Sequence, residues 1–165
     1  MKYELTDETI EVYGRTLHRI KALKDIGTSV KKGDLGGFVE SERNLSQEGN
    51  CWVYGSAKVC DEAGVYGSAT VFSSAKVYGS AKVCGSAEIT KSTDVFTVTP
   101  IGSRNDTTTF YKAKGGKIFV KCGCKNTDID TWLGTVQATH GENKHAKAYR
   151  LAAQIARLQI LGEEE

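Results

Sequence analysis

Residues 53–89 divide into six hexads and a closing isoleucine: VYGSAK, VCDEAG, VYGSAT, VFSSAK, VYGSAK, VCGSAE and Ile89. One register holds Val53, Val59, Val65, Val71, Val77, Val83 and Ile89 and continues to Val95. Two residues earlier, a second holds Cys51, Ala57, Ala63, Ala69, Ala75, Ala81 and Ala87. A fixed period sustained over this length marks a repeat architecture. A branched and a small side chain point inward in each repeat, and Gly or Ser at the third place lets the backbone turn sharply. One short strand and one corner per hexad are expected, with three hexads to each turn of a triangular coil. Extending the registers back through Leu45 to Val39 sets the repeat at residues 39–95 and a height of about 15 Å at the usual strand spacing.

The chain has 165 residues, enough for one domain or two small ones. Its 22 basic residues against 20 acidic ones give a formal charge of +2, which excludes a generally basic nucleic-acid binder and leaves only local patches. No stretch approaches the length of a membrane span, and the opening MKYELTDETI has neither an apolar core nor a cleavage site. A soluble, cytoplasmic protein with no membrane partner is the expectation. Five cysteines, an odd count, suit reduced thiols or metal ligands better than a disulfide framework.

The flanks complete three expected domains. Residues 1–38 form an N-terminal β-hairpin cap turning at Tyr13-Gly14-Arg15. Residues 96–165 form an α+β module, with a β-meander from the runs FTVTPI, TTTFYK and KIFVK followed by two helices. Thr127 and Asp130 are expected to cap the first helix, which ends at His140-Gly141. The second covers 143–161, with Tyr149, Ala152, Ala153, Ile155, Ala156 and Leu158 as its apolar face and a fraying EEE end.

The segment from Val30 to Val59, VKKGDLGGFVESERNLSQEGNCWVYGSAKV, resembles the lead-in of phage, prophage and bacterial hexapeptide-repeat proteins of the YdcK type. Gly33, Gly36, Gly37, Phe38, Val39, Leu45, Ser46, Gly49, Trp52 and Val53 carry the resemblance. It implies a mainly β fold, a short left-handed parallel β-helix, with Phe38 and Trp52 closing its end. The same fold serves CoA-dependent acyltransferases and γ-class carbonic anhydrases, both of which place histidines on or beside the coils. Here His18, His140 and His145 all lie outside residues 39–95, which speaks against catalysis.

Cys122-Gly-Cys124 with His140 and His145 reads as a structural Zn2+ site of the Cys2His2 kind, since four protein ligands leave no open position for water. Cys60 and Cys84 occupy the repeat position of Tyr54, Tyr66, Phe72 and Tyr78, so they read as packing variants. Those four aromatics, displayed in rows on rigid corners, are candidate partner-binding residues. Arg104, Lys112, Lys114 and Lys117 on the basic meander are the others, for an acidic protein face in preference to direct nucleic-acid contact. The resemblance extends to a non-enzymatic phage inhibitor of a host defence protein, a zinc-containing type II anti-CRISPR that binds Cas9 and blocks DNA loading or cleavage. A homo-oligomeric scaffold, a sponge for a nucleotide signal and an acyltransferase are the alternatives.

Overall fold

Tyr13 and Gly14 both take left-handed backbone, with φ of 51° and 75°. That pair of signs lets a two-residue turn match the twist of the strands it joins. The turn connects β1 (Tyr3–Val12) to β2 (Arg15–Ala22), which pair antiparallel, and β3 (Leu35–Val39) runs antiparallel along β2. The computed structural model describes residues 1–162, which divide into two compact units, Met1–Ser92 and a second beginning at Thr93. The three final glutamates, expected to fray, lie outside the described residues.

The repeat gives seven strands of two residues each: β4 (Trp52–Val53), β5 (Lys58–Val59), β6 (Gly64–Val65), β7 (Thr70–Val71), β8 (Lys76–Val77), β9 (Lys82–Val83) and β10 (Glu88–Ile89). They pair in parallel at a fixed step, Trp52 opposite Thr70 and Thr70 opposite Glu88, Lys58 opposite Lys76 and Gly64 opposite Lys82. Three ladders result. One continues the hairpin sheet in the order β1-β2-β3-β5-β8, one is β10-β7-β4, and one is β6-β9. Both inward registers are buried, from Val53 to Ile89 and from Cys51 to Ala87. At the third place of every hexad the backbone is left-handed, with φ between 57° and 64°, and Asp61 and Ser73 adopt it without glycine's freedom.

The expected class is nevertheless corrected. The sheets remain several and small, two helices are added, and no closed or coiled β-helix is evident among the described residues, so the fold is mixed α/β and the left-handed parallel β-helix is set aside. The physical reason is the length of the strands. Each holds two residues before a left-handed turn interrupts it, so the pairing resolves into separate narrow ladders.

Buried polar groups fix the near end of this unit. Lys2 Nζ donates to the carbonyls of Cys51 (2.9 Å) and Glu48 (3.3 Å). Asn44 Nδ2 donates to the carbonyls of Ala63 (2.8 Å) and Asp61 (3.0 Å), while its Oδ1 accepts from the Ser41 N–H (2.8 Å). Phe38 and Trp52 are buried core, with the Arg19 guanidinium 4.6 Å above the Phe38 ring and Tyr3 edge-on to Trp52 at 6.3 Å.

The second unit is an antiparallel sheet in chain order, β11 (Val95–Ile101), β12 (Asp106–Lys112), β13 (Ile118–Cys122) and β14 (Lys125–Asp128), covered by α1 (Ile129–His140) and α2 (Lys144–Leu161). Phe110, Ile118, Val120, Trp132, Val136 and Tyr149 are central to its core. Three further expectations shift. The meander has a fourth strand, the cap of α1 is Asp128 and not Thr127, and Ile155 and Leu158 lie on the exposed side of α2.

Candidate functional site

The turn from Gly102 to Asn105 and the tighter turn at Gly123-Cys124 lie at the same end of the second unit's sheet, where Cys122 pairs with Thr108 and Lys125. Two glycines there make room for functional side chains. A Cβ on Gly102 would stand 1.8 Å from the Tyr149 hydroxyl, and one on Gly123 would stand 2.1 Å from an Arg104 guanidinium nitrogen. Tyr149 of α2 therefore lies against the first turn, and Arg104 reaches from the first turn over the second.

Between these turns and α1 is a cleft of about 190 Å³, bordered by Ser103, Arg104, Cys122, Lys125, Tyr149 and, on α1, Trp132, Thr135, Val136, Thr139 and His140. The α1 residues follow a spacing of three and four, one face of a helix. Arg104, Lys125 and His140 supply basic groups, and among the described residues that border it there is no carboxylate. Ser103, Thr135, Thr139 and Tyr149 supply hydroxyls.

Aromatic packing holds this wall in place. Trp132 meets Phe110 edge-on at 5.4 Å and Tyr149 edge-on at 5.1 Å, and the His140 ring lies 5.9 Å from that of Tyr149. The Thr108 hydroxyl donates to the Cys122 sulfur at 3.3 Å, and the Cys122 thiol points to the Tyr149 oxygen at 3.9 Å. Burial, and then the neighbouring Cys122, push the Tyr149 phenol up to about 12, against a smaller opposing effect of Arg104. Tyr149 therefore keeps its proton at neutral pH and can donate a hydrogen bond. Arg150 locks α1 to α2 through Glu142 (2.9 Å), the Gly141 carbonyl (2.8 Å) and Gln137.

The expected zinc site is corrected. Cys122 and His140 border the cleft, but Cys124 is exposed at the tip of the β13–β14 turn, and His145 meets His140 ring to ring at 5.8 Å. Among the described residues no group of three or more His, Cys, Asp or Glu side chains is placed to hold a metal ion, and the Cys122 thiol turns toward Thr108 and Tyr149.

The expected partner-binding residues are scattered over both units. Tyr54 and Phe72 stack on each other at 4.7 Å with an interplanar angle of 10° and are half-buried. Tyr66 is half-buried above Gly64, and Tyr78 is 60% exposed. Tyr54 and Phe72 follow β4 and β7 of one ladder and stack along it, whereas Tyr66 follows β6 and Tyr78 follows β8, so the four aromatics do not share one row. Tyr78 instead borders a small cleft with Tyr13, Lys76 and Cys60, and Lys76 Nζ stands 5.0 Å above the Tyr13 ring. The Cys60 thiol is pushed up by burial and by Asp61 and Glu40, the opposite of what a nucleophile needs. Lys112, Lys114 and Lys117 lie at the β12–β13 connection, the first half-buried and the others exposed, and only Arg104 joins the cationic cleft.

No protein-family model matches the chain, and no curated protein matches it. No helix among the described residues is long and apolar enough to cross a membrane.

Proposed function

We propose that this chain is a non-enzymatic binding protein whose recognition site is the cationic cleft of the second unit, and that the cleft takes a phosphate group of a small anionic ligand such as a nucleotide signal. The observation that carries this reading is the juxtaposition of Arg104, Lys125 and His140 with four hydroxyl groups around one cleft. A guanidinium and hydroxyl donors recognise phosphate oxygens by charge-assisted hydrogen bonds. The cleft volume of about 190 Å³ suits a phosphate and the sugar attached to it better than a large organic ligand. Thermal unfolding with inorganic phosphate, a mononucleotide and a cyclic dinucleotide tests it. At a hundredfold excess over Kd, a ligand raises stability by about 2.7 kcal/mol, and Arg104→Ala with Lys125→Ala should abolish the rise. Unchanged midpoints with all three compounds would sink the phosphate reading.

A second reading is direct binding of a host defence protein, with Cas9 as the target that the resemblance implies. Tyr13 (85% exposed) and Tyr78 (60% exposed) around Lys76 support it, because exposed tyrosines beside a cation are common anchors at interfaces. Selective capture of purified Cas9, with loss of DNA cleavage that Tyr13→Ala and Tyr78→Ala restore, is the expected result. Cleavage unaffected by excess protein would exclude it.

A further inference from the structure

We infer that the outward face of α2 is a homodimer contact, formed by antiparallel pairing with the same face of a second copy of this chain. The helix is apolar on two opposite sides. Tyr149, Ala152, Ala153, Ala156 and Ile160 are buried in the unit's core. At about 100° per residue, Leu151, Ile155 and Leu158 fall on the opposite side, and they are 61%, 51% and 52% exposed. Lys144 and Lys147 continue this same stripe at the first turn of the helix, seven and four residues before Leu151. Asn143 satisfies the first N–H groups of the helix.

The stripe is complementary to itself in one orientation. A two-fold axis between Gln154 and Ile155 sets Leu151 of one copy against Leu158 of the other and places both Ile155 side chains at the centre. The same axis brings the lysine-bearing start of one helix to the end of the other, at Gly162. That end carries the negative pole of the helix dipole, and in the sequence it is followed by Glu163, Glu164 and Glu165. A parallel pair would instead gather four lysines at one end. Charge therefore selects the antiparallel arrangement and a second copy over an arbitrary apolar partner. Three apolar anchors per copy make a small contact beside the roughly 800 Å² per partner of a standard interface, so the dimer should be concentration-dependent.

Light scattering on the full chain over a hundredfold concentration range tests the inference. The mass should rise toward that of two chains, more weakly at high salt, and Ile155→Glu should raise the dimer Kd at least tenfold without changing the circular dichroism. Position 154 lies beside the axis, so Gln154→Cys in a Cys124→Ser background should form a disulfide-linked dimer on mild oxidation, whereas Lys114→Cys in that background should not. One-chain mass throughout the range would overturn the inference. So would dimerisation that survives Ile155→Glu, cross-linking at Gln154→Cys no greater than at Lys114→Cys, or a monomer that uses this stripe only to bind anionic vesicles.

Discussion

Tyr149 has three jobs that meet in one hydroxyl. Its ring supports Trp132, its oxygen lies beneath Gly102 and beside the Cys122 thiol, and its proton is available to the cleft. Burial holds the phenol at about 12, above its ordinary value of 10.0. The folded protein thus binds this proton more tightly than the unfolded chain, so the associated stability is complete below pH 10 and is lost as pH rises toward 12. Tyr3, raised for the same reason of burial, acts in the same direction in the first unit. The midpoint of thermal unfolding should fall across this alkaline range, and Tyr149→Phe should flatten the part of the fall that belongs to the second unit. An identical alkaline profile for Tyr149→Phe would show that the phenol is not held as described. The sequence pointed to this neighbourhood for a different chemistry. Cys122 and His140 do border one cleft, but a thiol engaged by Thr108 and Tyr149 cannot be told from a metal ligand by spacing alone.

At the level of elements, the first hairpin turn and the break between the two helices were legible from local chemistry, whereas the cap of α1 was not. Tyr13-Gly14 sets the first hairpin, and Gly141 and Asn143 mark the break between the helices. Asn143 Oδ1 accepts from the N–H groups of His145 (2.9 Å) and Ala146 (3.0 Å). Asn143→Ala should cost about 1 kcal/mol of stability, read as a lower denaturant midpoint; an unchanged midpoint would mean that the cap contributes nothing. Elements defined by tertiary pairing were not legible. Lys125–Asp128 has no apolar alternation and becomes a strand only because it pairs with β13. Asp128 is opposite Phe119 at the end of that pairing, so it and not Thr127 is the first residue able to accept from the helix, bonding the Thr131 N–H at 3.0 Å. On α2 the alternation of Ala with larger residues concealed two apolar faces, which only the sheet beneath the helix distinguishes.

For the whole molecule, the six-residue period told which side chains go inward, and they are buried from Val53 to Ile89. The expected three hexads per turn match the pairing step, but the period did not tell that the sheets would stay separate and narrow, which follows from strands too short to make continuous faces. The ladders nevertheless obey one rule of position: Trp52 meets Thr70 and Thr70 meets Glu88, a step of eighteen residues, or three hexads. Heritable changes in the length of this region are therefore quantised. A duplication of eighteen residues adds a strand to each ladder and keeps every inward residue inward. Gain or loss of a single hexad preserves the inward pattern too, yet it hands each later strand to a different neighbour and moves its corner side chain to another ladder. Copying slips by three hexads would extend the ladders, while slips by one would re-pair them.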